Sequence, residues 1–500
     1  MSESKDYSST PPSVEQQTRR GVSWSFAGAV ITNGMRLVVV AVLGRALTST
    51  DFGIVAAALS VNAIIYGIRD VGIGSALVQR TELEAGHIST AFALSTYLGF
   101  GLATVLFIAA PWIGIAYGIT ESTDLIRALA LFFALRSVSS TSRMLAQRAM
   151  NFRRITIIDA LSFSAGSTVS MVAAVAGAGP WSLVAGYLVE EVIAGTMYVW
   201  SHPPKFSLRI DTQRLRELMQ FGIGQTIIQS ANIVATYGDN FVVGNALGAR
   251  ELGYYTRAYD LIKFPSMVFD AIVGNVLFPA FSKLQHDREK LATGFRRVAF
   301  VNALVLLPAS AAIIVLAPEA IRLLMGPGWE DAVLPFRVLA VTILLRTNLK
   351  LGGILAQAAG AVNAVAVAYV IYMLVVVGGA SFAIRWGVVG VAVSTAIAIT
   401  LVSIHCSYLA LQVSKLTLAS FLAANGPGLV LAAIVTAMAW PLSSAMRSAD
   451  VHPSLIFAVV GGAAIALCLI AVAVWVRSRR GDFEWLGGEL RRLRRTRGAR

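Results

Sequence analysis

The chain has 500 residues, of which 56% are apolar and 14% charged, and its mean hydropathy is +0.70. Soluble domains carry about 25% charged residues, so this composition excludes an ordinary soluble protein and predicts an integral helical membrane protein. The net charge of +14 does not indicate nucleic-acid binding, because the basic residues lie mainly in short loops and at the C-terminus.

The N-terminal residues 1–20 are rich in Ser, Thr, Pro and Glu and are expected to be disordered and cytoplasmic, without a cleavable signal pattern. After them, apolar runs reach about 20 residues, long enough to cross a bilayer as helices. The alternating ten-residue segments of a β-barrel are absent. We predict fourteen spans, at 22–44, 52–78, 89–117, 124–146, 157–177, 181–200, 219–247, 252–280, 297–317, 332–356, 362–384, 388–412, 418–441 and 454–476.

The distribution of Lys and Arg predicts the orientation. Most of them fall in the terminal tails and in the loops of one side, which places that side in the cytoplasm. Both termini are therefore expected to be cytoplasmic, and the even span count agrees. The opposite side carries only Arg45, Arg250, Arg322, Arg385 and Arg447.

A hydrophobic hairpin recurs at an offset of 200 residues. Gly44 corresponds to Gly244 and Gly53 to Gly253, and further matches follow along both segments. Such a repeat predicts an all-α polytopic membrane protein with two pseudo-symmetric six-helix lobes and two extra C-terminal spans. The expected bounds are 21–205 for the N-lobe, 206–415 for the C-lobe, 416–476 for spans 13–14 and 477–500 for a basic cytoplasmic tail, which is expected to lie on the inner leaflet.

Polar and charged residues interrupt four of these spans. A charge near the bilayer centre costs about 2.5–3.5 kcal/mol on insertion scales, so such residues need a functional or structural reason. Helical spacing places each set on one face, and the four faces are expected to line one central cavity. The residues are Asn33 and Arg36 in span 1; Asn62, Tyr66, Arg69 and Asp70 in span 2; Asn232, Asp239 and Asn240 in span 7; and Arg257, Asp260, Lys263 and Asp270 in span 8.

The members of this set are expected to differ in role. Arg36, Arg69, Arg257 and Lys263, with Asn33, Asn62 and Tyr66, are the candidate substrate-binding residues. Asp70, Asp239, Asp260 and Asp270 are expected to balance charge or to couple transport to an ion. A structural role is expected for Arg136, Arg143, Arg337, Arg346 and Lys350, and no role is assigned to Glu190 and Glu191.

Motifs of catalysis are not found. The sequence has no P-loop pattern, no recognisable catalytic triad and no metal-ligand spacing. Cys406 and Cys468 both lie in apolar runs and are expected to be buried thiols rather than a disulfide. We therefore expect a protein that is not an enzyme and that needs neither a cofactor nor a metal.

The chemistry of the expected cavity favours an anionic substrate. Arginine presents a planar fork of donors that matches phosphate oxygens, while Asn and Tyr can bind sugar hydroxyls. Spans rich in small residues permit close helix packing and rocking of two lobes. The expected mechanism is alternating access.

Several segments, in this order, resemble the polysaccharide-biosynthesis branch of the MOP exporter superfamily, above all Wzx-type flippases of the colanic-acid-exporter kind. They span about residues 18 to 415, and the turns at Asp51-Phe52-Gly53 and Leu252-Gly253-Tyr254-Tyr255 are the strongest matches. The segments are LGRALTSTDFGIVAAAL, IRDVGIGSALVQR, LAQRAMNFRR, GDNFVVGNALGARELGYYTRAYDLIKFPSMVF, VLFPAFSKLQ and PEAIRLLMGPGWEDAVLPFRVLAV.

The resemblance implies an inner-membrane flippase that moves undecaprenyl-pyrophosphate-linked sugar repeat units to the outer leaflet. It also implies a monomer, contacts with membrane lipids, and a polysaccharide polymerase and an initiating glycosyltransferase as candidate partners. Three alternatives stay open. They are a cation-coupled multidrug antiporter of the same superfamily, a membrane enzyme such as a polymerase or glycosyltransferase, and a non-transporting scaffold of a glycan assembly complex.

Overall fold

The computed structural model describes residues 32, 34–69, 77, 84–204, 206–219, 223–272, 277, 281, 284, 287–478, 482–486 and 488. The regular elements in this part of the chain are helices, which confirms the all-α class. They are α1 (34–46), α2 (Ser49–Arg69), α3 (Ala85–Ala116), α4 (Ser122–Arg148), α5 (Phe152–Val175), α6 (Trp181–Ser201), α7 (Thr212–Met219), α8 (Ile223–Ile272), α9 (Arg288–Val315), α10 (Ala317–Met325), α11 (Val333–Ala340), α12 (Ile343–Ala358), α13 (Val362–Ala383), α14 (Gly387–Ser414), α15 (Leu418–Ser448) and α16 (Pro453–Ser478), with 3-10 turns at Glu330–Ala332 and Ile384–Trp386.

The polytopic membrane class is also confirmed. Nine helical segments among the described residues are long and apolar enough to cross a membrane, or ten if the pair Glu330–Ala340 and Ile343–Ala358, bent by 43°, is one span. One of the nine, Val362–Ser414, contains the hairpin α13–α14. The helix α8 does not pass the same test, because it carries the polar stripe. The total of fourteen spans stays a prediction.

The two turns that correspond in the repeat are closed in different ways. Between α1 and α2, the Asp51 carboxylate accepts a hydrogen bond from the Thr48 backbone N–H (2.9 Å), and the Thr48 hydroxyl oxygen accepts one from the Asp51 N–H (3.2 Å). This reciprocal pair starts α2. In α8 the break falls at Gly248, with φ 83° and ψ −177°, a conformation that glycine adopts readily. We call its two halves α8a (223–247) and α8b (249–272).

The ends of several helices meet at one end of the bundle. We call it the outer end, because the predicted orientation places it on the side opposite the cytoplasm. The Asn245 amide of α8a donates to the carbonyl oxygen of Ala116 at the end of α3 (2.7 Å). The Arg45 guanidinium, in the last turn of α1, donates to the carbonyl oxygen of Leu324 in α10 (3.3 Å). The ends of α1, α3, α8a and α10 therefore lie together at this end of the bundle.

Two glycines bring the repeat-related hairpins into backbone contact at this end. A Cβ at Gly53 would lie 1.7 Å from the carbonyl oxygen of Ala249, and a Cβ at Gly253 would lie 1.8 Å from that of Ser49. Because Gly53 corresponds to Gly253 and Ser49 to Ala249 at the 200-residue offset, the two contacts are reciprocal. Such reciprocity is what a two-fold relation between the repeats produces.

Packing separates the helices into two groups. In the first, α3 packs on α4, α5 on α6, and α4 on both α6 and α2; in the second, α13 packs on α8, α12 on α14, and α13 on α14. The groups meet mainly along α2 and α8. We call α1 to α6 the N-lobe group and α8 to α14 the C-lobe group, whereas the domain bounds given above stay a prediction. The hairpin α15–α16 packs on α9 and α10.

An ion pair attaches this last hairpin to the C-lobe group. Arg447, at the end of α15, donates to both carboxylate oxygens of Glu319 in α10 (2.7 and 2.8 Å) and to the carbonyl oxygen of Val315 (2.8 Å). The Glu319 side chain is 4% exposed. Such a bidentate pair is strong and directional.

Removal of the carboxylate in Glu319→Ala is therefore expected to destabilise the protein by about 1–3 kcal/mol, because Arg447 loses two charge-assisted hydrogen bonds. The measurement is the thermal unfolding midpoint of the purified protein in detergent, which should fall by several degrees. Glu330→Ala, at an exposed carboxylate of the same end, is the matched control and should leave the midpoint unchanged. Equal midpoints for the two variants would contradict the assigned role.

Candidate functional site

A cavity of about 640 Å³ lies where the N-lobe group faces α8. Its walls come from α1, α2, α4, α5 and α6 on one side and from both halves of α8 on the other. The four polar-bearing segments of the repeat therefore border one cavity. Its polar and aromatic lining comprises Arg36, Phe52, Ser60, Asn62, Tyr66, Phe132, Arg136, Phe163, Ser167, Ser170, Tyr187, Glu190, Glu191, Thr236, Tyr237, Asn240, Thr256, Arg257, Tyr259, Asp260, Lys263 and Phe264.

The wall made by α8b carries three charges in a row. Asp260 accepts a hydrogen bond from Arg257 Nη2 at its Oδ2 (2.7 Å) and from Lys263 Nζ at its Oδ1 (2.9 Å). Spacings of three residues put all three side chains on one helix face. The side of α8b that faces the cavity thus carries a triad in which one carboxylate lies between two cations.

A second ion pair lies across the cavity, on the N-lobe side. Arg136 of α4 donates from Nη1 to Oε2 of Glu191 in α6 (2.9 Å). The Glu191 side chain is 7% exposed and that of Arg136 is 26% exposed. The carboxylate is therefore covered by protein, while part of the guanidinium faces the cavity.

Each cavity cation also lies over an aromatic ring. The Arg36 guanidinium carbon is 5.4 Å from the Phe163 ring centroid, and that of Arg257 is 4.7 Å from the Phe52 centroid. Arg136 lies over Tyr66 (5.0 Å) and Phe132 (5.4 Å), and Lys263 Nζ lies over Tyr259 (4.6 Å) and Tyr237 (5.5 Å). Cation–π contacts stabilise a desolvated cation by about 2 kcal/mol, so these rings help to hold charge inside the membrane.

The predicted substrate-binding residues divide into three sets. Arg36, Tyr66, Arg257 and Lys263 line the cavity. Asn62 lines it too, but its amide nitrogen donates to the carbonyl oxygen of Leu129 in α4 (3.1 Å), which fixes α2 against α4. The third set, Asn33 and Arg69, lies outside the part of the chain whose side chains are described.

Asp239 faces away from the cavity, into the C-lobe group. It is fully buried and accepts hydrogen bonds from the hydroxyls of Tyr255 and Thr395. Close by, the Arg346 guanidinium lies 4.4 Å from the Tyr259 ring centroid. Tyr259 thus stands between this buried polar cluster and Lys263. Of the four aspartates expected to balance charge or to couple transport to an ion, Asp260 lines the cavity and Asp239 does not, while Asp70 and Asp270 lie outside the described side chains.

Arg136, Glu190 and Glu191 are lining residues to which the sequence argument gave no cavity role. Arg136 lies 55 residues from its partner Glu191, so no local spacing rule connects them. The sequence offered one indication of this ion pair. Two adjacent glutamates inside a predicted span need a cationic partner. With these residues, the described lining carries four cations and three carboxylates, an excess of one positive charge.

The outer end of the cavity is closed by aromatic and backbone contacts. Phe52 and Trp329 meet edge to face (5.5 Å between centroids), and Tyr254 contacts the same indole (5.8 Å). Trp329 Nε1 donates to the carbonyl oxygen of Gly44 (3.1 Å). These contacts of Trp329 join α1, α2 and α8b at this end of the cavity.

Comparison with known sequences identifies related proteins. A family model described as "Polysaccharide biosynthesis protein" matches residues 42–334. The chain is 28% identical over 341 residues to the lipopolysaccharide biosynthesis protein WzxC of Escherichia coli (strain K12), covering 67% of this chain and 68% of that protein. It is 29% identical over 324 residues to the succinoglycan biosynthesis transport protein ExoT of Rhizobium meliloti (strain 1021), covering 64% and 65%, slightly less than two thirds of that protein's length.

Comparison with solved structures concerns the fold. The lipid II flippase MurJ in an inward closed conformation superposes with a TM-score of 0.73 at 12% identity, covering 91% of this chain and 99% of that chain. An inward-facing multidrug resistance MATE family transporter of the MOP superfamily gives 0.59 at 18% identity, covering 79% and 95%. The polytopic helical architecture is thus that of known membrane transporters.

Proposed function

Because the chain belongs to the polysaccharide biosynthesis protein family, we propose that it is a lipid-linked oligosaccharide flippase. It moves sugar repeat units on undecaprenyl pyrophosphate from the cytoplasmic to the outer leaflet of the bacterial inner membrane. The observation that carries this proposal is the cavity between the N-lobe group and α8, in which Arg36, Arg136, Arg257 and Lys263 surround one space.

The cavity offers chemistry for each part of such a substrate. Guanidinium groups donate two hydrogen bonds at once to phosphate oxygens, and Arg136, backed by Glu191, is held with its charge partly exposed to the cavity. Tyrosine hydroxyls can bind sugar hydroxyls. Apolar lining residues on α1, Val39 and Val40, offer surface for the first part of the lipid chain.

The proposed motion is alternating access of the two lobes. While the contacts of Trp329 and of the two glycines hold the outer end together, the substrate is taken up from the cytoplasmic side. The glycine contacts and the contacts of Trp329 at the outer end then separate, and the head group is released outward. No bond of the substrate is made or broken, so the protein is not an enzyme, and neither a cofactor nor a metal takes part.

The proposed setting follows from the substrate. Both termini are cytoplasmic, and the protein works as a monomer among membrane lipids. An initiating glycosyltransferase and the enzymes that extend the repeat unit act before it, and a polysaccharide polymerase acts after it, so these proteins are the proposed partners.

The test is an accumulation assay in the native host. After deletion of the gene, undecaprenyl-linked lipids are extracted, and the strain is then complemented with the wild-type gene. We expect lipid-linked oligosaccharide to accumulate at the cytoplasmic face in the deletion strain and to fall again on complementation. Absence of accumulation would contradict the flippase proposal.

One observation favours a second candidate, a cation-coupled multidrug antiporter. Glu190, Glu191 and Asp260 line the cavity, and carboxylates suit cationic drugs. The same deletion strain separates the two functions, since increased drug sensitivity without accumulation of lipid-linked sugars would identify the antiporter.

A further inference from the structure

The triad on α8b has an arrangement that the flippase proposal does not by itself explain. Both oxygens of the Asp260 carboxylate are in use, one bound by Arg257 and the other by Lys263. Two cations that should meet an anionic substrate are thus already bridged by an anion of the protein. The inference below rests on the proposed function.

The exposure of the three side chains shows which of them an incoming anion meets. Asp260 is 40% exposed, whereas Arg257 is 17% and Lys263 24% exposed. All three groups line the cavity, and the carboxylate is the most exposed of them. An anion that approaches α8b is repelled by this carboxylate before it can reach the cations.

In the ion pair on the opposite wall, the cation and not the carboxylate is the more exposed partner. There the Glu191 carboxylate is covered (7% exposed) and Arg136 is the more open partner (26%). Glu191 can hold Arg136 in place while the guanidinium binds a ligand. Asp260 cannot do the same for Arg257 and Lys263, because its own two oxygens already bridge both cations.

We propose that Asp260 is a placeholder anion, which occupies the seat of a substrate phosphate while the cavity is empty. A carboxylate and a phosphate each present oxygens to two donors at once. When the pyrophosphate enters, one of its phosphates displaces the Asp260 carboxylate and bridges Arg257 and Lys263. When the substrate leaves, the carboxylate returns to the two cations.

The physical reason lies in the return of the empty transporter. Without substrate, two adjacent cations inside the membrane would repel each other and remain without a counter-charge, which is costly in a low-dielectric environment. Asp260 neutralises one of the two charges and bridges both. It also competes with the bound phosphate and so favours release.

The experiment measures binding of farnesyl pyrophosphate, a short-chain pyrophosphate lipid, to the full-length protein in nanodiscs by titration calorimetry. Asp260→Asn removes the competing charge and keeps the shape, so its Kd is expected to be about ten-fold lower than that of the wild type. Glu191→Gln is the matched control, a carboxylate-to-amide change on the other wall, and should not tighten binding. In the host, Asp260→Asn should export less polysaccharide, because release and return are slowed.

The outcomes separate this inference from the proposed function. If the wild type binds farnesyl pyrophosphate better than farnesol, but Asp260→Asn binds it equally or more weakly, Asp260 is not a placeholder. If neither protein prefers farnesyl pyrophosphate over farnesol, the pyrophosphate substrate itself is refuted. Should Asp260→Asn fail to fold by its thermal midpoint, Asp260→Ser is measured with the same expectation.

Discussion

Neutralising Arg36 and Lys263 together, as Arg36→Gln plus Lys263→Gln, is expected to reduce transport by about a hundred-fold or more. The two residues lie on α1 and α8b and line the same cavity, so both can contact one pyrophosphate. A hydrogen bond to a charged group contributes about 1.5–3 kcal/mol, and each 1.4 kcal/mol is a factor of ten in affinity. The double variant should therefore fail to relieve the accumulation of lipid-linked oligosaccharide in the deletion strain.

The control for this variant is a pair of exposed arginines at the outer end. Arg322→Gln plus Arg385→Gln removes the same number of charges from side chains that are outside the cavity lining, and it should complement as well as the wild type. Membrane levels of both double variants are compared by immunoblot. If the Arg36/Lys263 variant is present at normal level and complements fully, these two cations do not bind the substrate. That result would not contradict the flippase proposal itself.

Gly53→Ala and Gly253→Ala are each expected to prevent closure of the outer end. The added Cβ would overlap the carbonyl oxygen of Ala249 or Ser49 at less than 2 Å, and a backbone atom cannot move aside as a flexible side chain can. Overpacking of this kind costs about 1–3 kcal/mol or more, which shifts the balance between closed and open states by about ten- to a hundred-fold. Because the contacts are reciprocal, the two variants should behave alike.

The readout is the accessibility of the cavity from outside. Ala56→Cys places a thiol on the cavity wall, one turn below Gly53, in a background of Cys406→Ser and Cys468→Ser. A membrane-impermeant thiol reagent added to intact cells should label it much faster in the Gly53→Ala and Gly253→Ala proteins than in the parent. Gly101→Ala, where a Cβ meets nothing within 4 Å, is the control. Slow labelling in all four proteins, with normal transport, would show that the glycine contacts do not govern closure.

The resemblance drawn from the sequence motifs is confirmed by the family match over residues 42–334. The segment that begins at Leu43 was one of those on which the resemblance rested. A capped turn and a closely packed glycine need particular residue types at particular positions. Thr48, Asp51 and Gly53 meet those needs in the structure. Local rules of this kind can be applied to a sequence without knowing what surrounds it.

The break in the predicted tenth span was not foreseen. The apolar run at 332–356 is long enough for one span, but its composition does not show whether the helix is straight. The structure divides it into α11 and α12, and the helical segments Glu330–Ala340 and Ile343–Ala358 are bent by 43°. Apolar content fixes where a segment can sit in the membrane. The bend depends on how neighbouring helices pack against the two halves.

The sequence by itself determined the membrane class, the repeat and the shared helix face of Arg257, Asp260 and Lys263, because these follow from apolar length and from the helical period along one chain. Only the tertiary structure decided which charges share the cavity. The Asp239 side chain points into the C-lobe group, and Arg136 forms an ion pair with Glu191, which is 55 residues away in the sequence. The rotation of each helix about its axis is set by packing between helices, and it is this rotation that turns a polar side chain toward the cavity or away from it.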